Sequence, residues 1–279
     1  MTATSDEYCL GARALVLGYH GVPVVHRASF ELRRGRVTAL VGPNGSGKST
    51  LLRALARLHA PNGGDVLLED GSDARLLARR DFARHVTLLT QGRPTPTGIS
   101  VRDVVGYGRH PYRARWRGTD TDGTAVVARA MSTTGVSELA DRCVDELSAG
   151  QLQRVWLACC LAQETGVLLL DEPTTYLDLR YQMEILDLVR DLADQHGVAI
   201  GMVLHDLDQA AAVADHLVLL DQGRVVVSGI PTEVLTSELL TRAYGIRVDV
   251  EVDPFTGAVR TRPVGRHLAR ALPVAAAAR

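Results

Sequence analysis

Residues 42–50 read Gly-Pro-Asn-Gly-Ser-Gly-Lys-Ser-Thr, and this short stretch constrains the fold more than any other part of the chain. Before it, Arg36-Val-Thr-Ala-Leu-Val41 is a compact apolar strand. After it, Leu51, Leu52, Leu55 and Leu58 recur at helical spacing with Arg53 and Arg57 between them. Glycine at 42, 45 and 47 lets the backbone turn its N–H groups inward and approach an anion at the positive end of a helix. The pattern G-x-x-x-x-G-K-[ST] adds the Lys48 ammonium for β- and γ-phosphates and the Ser49 hydroxyl for Mg²⁺. Gly42, Pro43, Asn44, Gly45, Ser46, Gly47, Lys48, Ser49 and Thr50 are therefore the expected phosphate contacts. The bland alternative is a plain glycine-rich loop in a chain with 26 glycines, and the strand before and helix after it speak against that.

Lys48 stands out by composition too. It is the only lysine, so the other basic residues among the 31 Lys plus Arg are all arginine. A compact ammonium that must fit among phosphate oxygens is not replaced by a guanidinium fork.

The rest of the composition excludes more than it selects. Hydrophobic residues make up 46% and charged residues 23%, as in an ordinary globular domain. The net charge of −1 gives no broad field for nucleic acid, so no nucleic-acid partner is expected. Cys9, Cys143, Cys159 and Cys160 lack C-x-x-C spacing, and the adjacent pair reads as core filler in a reduced compartment. Asp6 and Glu7 stand where a secretory signal would need an apolar run, so no signal is expected. Apolar runs such as Val167 to Leu170 and Val198 to Leu204 fall short of the roughly 20 residues that cross a bilayer.

The organisation is α/β. Residues 1–9 read as a loose end, and alternating segments from Gly11 to Leu32 read as antiparallel strands. A strand over His85 to Thr90 ends at Gln91. Residues 92–165 change character to a mainly helical insert, with helices over Thr124 to Ser132 and Gln151 to Ala162. Strand and helix then alternate again: Val167 to Leu170, a helix over Tyr181 to Gln195, Val198 to Leu204, a helix over Leu207 to Ala214, and His216 to Leu220. Such alternation implies a parallel sheet buried on both faces. Asp221-Gln-Gly-Arg224 is a hairpin turn, Pro231 to Tyr244 reads as one helix, and 251–279 reads as an extension with a flexible tail from about Arg266.

Val167-Leu-Leu-Leu-Asp171-Glu172-Pro173 is a buried strand ending in two carboxylates, where ligands gather in an open α/β sheet. Asp171 is expected to hold Mg²⁺ and Glu172 to deprotonate the attacking water. Alone the pair is commonly an exposed acidic turn; beside the phosphate loop it becomes a catalytic candidate.

Leu147-Ser148-Ala149-Gly150-Gln151 resembles the signature motif of ATP-binding-cassette (ABC) ATPases. Further positions match that family in order. Gln91 resembles the glutamine that senses Mg²⁺ and couples to the membrane subunit. Asp178 in Thr175-Tyr-Leu-Asp178 resembles the aspartate at the dimer seam. His205 resembles the histidine that contacts the γ-phosphate, and Tyr19 sits where an aromatic stacks on adenine. The resemblance runs from about residue 10 to 260. It implies a P-loop NTPase core (10–250) with an antiparallel β subdomain and a helical subdomain at about 92–165. It further implies ATP and Mg²⁺ as cofactors, with Ser49, Gln91 and Asp171 about the metal and Glu172, His205 and Lys48 in catalysis. Ser148, Gly150 and Gln151 would reach the γ-phosphate on a second copy, giving a head-to-tail dimer around two ATP. Each residue has a plainer reading: Ser148 and Asp178 as helix caps, Gln91 as a strand-end polar residue, His205 as a core histidine, Tyr19 as a surface aromatic. Ala149 departs from the family, which usually has glycine there.

Val104-Val-Gly-Tyr-Gly-Arg109-His-Pro111-Tyr112 resembles the Gly-Arg-x-Pro segment of ATPases that serve iron-siderophore, haem and vitamin B12 importers. Glu172 to Asp178, Gln153 to Ala158 and Pro254-x-Thr-Gly257 are similar to the siderophore members. This implies import through a separate permease with a substrate-binding protein upstream, at the cytoplasmic face of the membrane. The plain alternative makes Arg109 and Arg113 a solvated basic loop. A haem, cobalamin or export ATPase and a soluble non-transport cassette are the competing functions.

Overall fold

The computed structural model describes residues 8–113 and 120–265. The expected flexible tail from Arg266 and the first seven residues of the expected loose end lie outside these. Tyr8 and Cys9 do not belong to a loose end: they open β1 (Tyr8–Tyr19), where Cys9 and Leu10 are buried.

β1 pairs antiparallel with β2 (Val22–Arg33) on one side and β4 (Gly63–Leu68) on the other. β4 is not legible in the sequence, because Gly63-Gly-Asp-Val-Leu-Leu opens on residues depleted in strands. Pairing with β1, from Leu10 opposite Leu68 to Val16 opposite Gly63, overrides that local preference.

The central sheet has six strands in the order β5 (Val86–Leu89), β6 (Val167–Asp171), β7 (Ala199–Val203), β3 (Val37–Val41), β8 (His216–Asp221), β9 (Arg224–Gly229). All neighbours are parallel except the β8–β9 hairpin. β3, β6 and β7 are buried along their whole length, as the continuous apolar runs imply. Side chains alternate between two cores with period two. Leu168 and Leu170 face the cluster built with α6 (Leu179–His196), α7 (Leu207–Val213) and α9 (Ser237–Tyr244). Val167 and Leu169 face the cluster built with α1 (Lys48–Leu55), α2 (Arg79–Phe82) and the antiparallel sheet. Each buried leucine contributes about 2 kcal/mol. The sheet is thus clamped rigidly, and its carboxyl ends form a fixed platform.

The insert packs α3 (Val101–Gly106), α4 (Gly123–Thr133) and α5 (Ala149–Leu161) around a third core. α5 spans the junction: Val155 and Ala158 lie in the insert core, Leu157 and Cys160 in the main one. Burial pushes the Cys159 thiol up to about 12, consistent with inert core cysteines. Arg109, in a 3₁₀ segment over Tyr107–Tyr112, is not part of a solvated loop, since only 5% of it is exposed. Its guanidinium forks onto Asp120 at 2.7 and 2.9 Å, donates to Ala162 O and Glu164, and lies over the Tyr112 ring.

Three boundaries differ from expectation. α1 stops at Leu55 because Arg57 turns left-handed at φ 57°, which leaves Leu58 exposed. The helix expected over Pro231 to Tyr244 is two, α8 (Pro231–Val234) and α9, because Thr236 caps α9 by accepting from Leu239 N–H. A domain boundary at residue 250 cuts through β10 (Val248–Val252), which pairs with β11 (Val259–Pro263). Val248 and Val259 enter the main core, and Thr261 N–H and Oγ1 both donate to Asp208 of α7. That hairpin is part of the domain.

Candidate nucleotide site

The loop between β3 and α1 opens on Gly42 at φ 141°, where an added Cβ would lie 2.0 Å from Leu220 O. Gly47 has φ 97° and sits against Val25 and Val24 of β2, whose nearest atom would be 2.8 Å from a Cβ. Both approaches are closed to any side chain, so the backbone N–H groups at the head of α1 stay clear.

Lys48 is buried, and its Nζ donates to Gly42 O at 2.7 Å and Pro43 O at 2.8 Å. Burial lowers its pKa, while the charges of Glu172 and Asp171 pull the other way. Beside it, Ser49 Oγ donates to Asp171 Oδ1 at 2.7 Å, joining the first turn of α1 to the end of β6. Arg53, one turn beyond Ser49, stands 3.6 Å from the other Asp171 oxygen.

Glu172 follows with φ 55°, a left-handed backbone that costs about 1 kcal/mol and aims its carboxylate back toward the loop. Its Oε2 accepts from Gln91 Nε2 at 2.8 Å and from Thr175 Oγ1 at 3.2 Å. Its Oε1 contacts His205 Nε2. His205 stands between β7 and α7, whose cap Asp206 accepts from Asp208 and Gln209 N–H. Val24, Gly47, Lys48, Ser49, Glu172 and His205 line one pocket of about 180 Å³, together with Asn44, Gly45 and Thr50. Two larger cavities, of about 810 and 660 Å³, hold none of these residues. The small pocket is the candidate site because the phosphate loop, Glu172 and His205 meet there.

The remaining expected residues lie off this pocket. Ser148 and Gln151 form a reciprocal capping box at the head of α5, and Asp178 caps α6 by accepting from Tyr181 N–H. Gly150 is buried against the Tyr181 ring, where a Cβ would meet ring carbons at 2.5 Å. Ala149 is exposed. Tyr19 ends β1 and is exposed. Two site residues escaped the sequence reading. Arg53 was signalled by its spacing of four from Ser49 on one helix face, whereas Thr175 meets Glu172 within a turn that its sequence does not signal.

The oxygen donors suit a hard cation that keeps waters and shares phosphate ligands, as Mg²⁺ does. Among the described residues no cluster of three or more His, Cys, Asp or Glu offers an all-protein metal cage. No helix among them is long and apolar enough to cross a membrane.

A family model described as ABC transporter matches residues 25–175. The chain is 44% identical over 260 residues to the ferric enterobactin transport ATP-binding protein FepC of Escherichia coli (strain K12), covering 92% of this chain and 94% of that one. It is 46% identical over 244 residues to the cobalamin import ATP-binding protein BtuD of Halobacterium salinarum (strain ATCC 29341 / DSM 671 / R1), covering 88% of this chain but 61% of that one. Among solved structures, an inward-facing metal-chelate type ABC transporter superposes with a TM-score of 0.80 at 27% identity, over 93% of this chain and 98% of that one.

Proposed function

The chain belongs to the ABC transporter family, and from that premise we propose that it is the ATP-hydrolysing subunit that powers import of an iron(III)-siderophore through a separate membrane permease. The observation that carries the ATPase reading is the meeting of Lys48, the Ser49–Asp171 pair and the Gln91–Glu172–His205 cluster at one pocket.

The residues divide the work. The N–H groups of Gly42 to Thr50 and the Lys48 ammonium bind the phosphates. Ser49 and Asp171, with Gln91 as a third donor, hold Mg²⁺, which supplies neutralisation of phosphate-oxygen charge when bound. Glu172 accepts the proton of the attacking water. Gln91 and Thr175 donate to its Oε2 and His205 contacts its Oε1, so the carboxylate is held at both oxygens. His205 presents its ring to the γ-phosphate. Tyr19 carries the adenine on its exposed face.

Ser148, Gly150, Gln151 and Asp178 serve a second copy. They stand away from this chain's own pocket, which supports a head-to-tail dimer in which each α5 head completes the partner's site. Gly150 keeps its helix N-terminus close on Tyr181, and Ala149 adds one methyl to the surface offered. The subunit then works at the cytoplasmic face of the membrane, with a substrate-binding protein delivering the chelate to the permease.

The substrate reading draws on the 44% identity to an enterobactin subunit over nearly all of both chains, and on Arg109-His110-Pro111. The 46% identity to a cobalamin subunit favours cobalamin as the second reading. Labelled-iron uptake under iron limitation, in a strain lacking the gene, separates them. Loss of uptake for one ferric siderophore class, restored by the wild type and not by Glu172→Gln, is expected. Intact ferric uptake with lost cobalamin uptake selects the second reading and leaves the ATPase assignment standing.

A further inference from the structure

The Tyr19 ring packs on the His59 ring, with centroids 4.6 Å apart and planes inclined by 46°. The contact joins two pieces of chain that flank the phosphate pocket. Tyr19 pairs with Val22 across the β1–β2 hairpin, and Val24 lines that pocket. His59 follows α1, whose first residue is Lys48. The loop carrying His59 is pinned back to β1, since Asn62 N–H donates to Val16 O at 2.8 Å and Val16 pairs with Gly63. The two rings therefore keep their spacing unless the antiparallel sheet opens.

His59 occupies its place at a cost. Its Nε2 is buried without a hydrogen-bond partner, and an unpaired buried polar nitrogen is unfavourable. Volume alone would be filled by an aliphatic side chain with no orphaned atom. What imidazole adds is a flat face for another ring. With His59 against it, Tyr19 still exposes 42% of its surface.

We infer that His59 is a positioning residue for the nucleotide base: it backs the Tyr19 ring and holds its free face ready for adenine. This rests on the proposed stacking of adenine on Tyr19. His59 does not line the phosphate pocket, so it acts on binding and not on the chemical step. Holding Tyr19 in place beforehand removes the entropy otherwise lost when a ligand orders that side chain.

The test measures ATP affinity, KM and kcat for wild type, H59A, H59F, Y19A and the Y19A/H59A pair. Inorganic tripolyphosphate, which has phosphates and no base, is the control probe. H59A is expected to weaken ATP binding about three- to tenfold, with kcat at saturating ATP unchanged. H59F keeps the flat face and loses the orphaned nitrogen, so it binds ATP as the wild type does and melts no lower. Tripolyphosphate binds all variants alike, and H59A adds nothing in the Y19A background. H59L, which fills the volume without a flat face, replaces H59A where the latter does not fold. Wild-type affinity in H59A beside a weakened Y19A overturns the His59 role and leaves the Tyr19 platform intact. Equal loss in H59F, equal loss in the Y19A background, or a parallel loss for tripolyphosphate also overturns it. Wild-type affinity in Y19A removes the platform and this inference with it.

Discussion

Gln91 Nε2 donates to Glu172 Oε2 at 2.8 Å, so the side chain that leads into the helical insert is bonded to the carboxylate that follows β6. The insert therefore has a direct mechanical line to the residue assigned to activate water. A shift of the insert that withdraws Gln91 also changes what holds Glu172. A ligand moves such an equilibrium only by binding the two arrangements unequally.

Gln91→Ala leaves Glu172 held by Thr175 and His205 alone. We expect kcat to fall about ten- to a hundredfold, with KM for ATP near the wild-type value, because the lost contact orients a catalytic group. Steady-state ATPase kinetics check this. A rise in KM with unchanged kcat would instead leave Gln91 with its Mg²⁺ role alone and remove the orienting role.

Lys48→Ala removes the only ammonium at the phosphates and the only lysine of the chain. ATP affinity and hydrolysis should both collapse while the circular dichroism spectrum stays that of the wild type. The fold persists because removing Lys48 also removes a buried cation, whose pKa burial already lowers. Normal ATPase rates in this variant would sink the site assignment.

Glu172→Gln keeps the shape of the side chain and loses the base. Two copies should then stay closed on unhydrolysed ATP, with Ser148 and Gly150 of each at the other's pocket. Gel filtration in Mg-ATP is expected to show a dimer for the variant and largely a monomer for nucleotide-free wild type. A variant that remains monomeric at high protein and ATP concentrations counts against the sandwich.

The sheet and phosphate loop were legible because local and global signals agree there. Val37 to Val41 and Val167 to Leu170 are apolar runs of strand length, and the glycines between β3 and α1 permit only a tight turn. What escaped depends on partners distant in sequence. β4 exists because β1 pairs with it, and the β10–β11 hairpin joins the domain because Thr261 finds Asp208. The family resemblance brought Glu172 and His205 into one hypothesis, but not the contact between them or the left-handed backbone that aims Glu172. Arg109 misleads in the same way. The plain alternative, a solvated basic loop with Arg113, could not be set aside from sequence, and only the fold brings Asp120, Ala162 and Glu164 around it.

Arg109→Ala strips Asp120 and Glu164 of a shared partner and leaves Ala162 O unpaired. Breaking a buried ion pair from one side should cost about 3 kcal/mol. Arg109→Lys recovers little of this, because an ammonium cannot fork onto both Asp120 oxygens while reaching Ala162 O. Urea unfolding reads the loss. Hydrogen exchange should show it concentrated in α3, α4 and α5, with the central sheet protected as before.

Asp215 ties the start of β3 to α6 and carries a pH signature. Its Oδ2 accepts from Val37 N–H at 2.8 Å and Arg190 at 2.7 Å, and its Oδ1 from Arg36 at 3.1 Å. Burial alone would raise its pKa; Arg190, the Val37 N–H and Arg36 outweigh burial and hold it below the ordinary 3.8. A carboxyl with a folded pKa below its unfolded value adds stability that is complete above the unfolded value. That stability is lost as pH falls through the folded one. Asp215→Asn should therefore cost about 2 kcal/mol at neutral pH. The gap should close as the wild-type carboxyl protonates, so the two unfolding curves converge below pH 3.8. Urea denaturation of both proteins across the acid range measures it. A difference that stays constant with pH would show that shape, and not the carboxylate charge, is what Asp215 contributes at this joint.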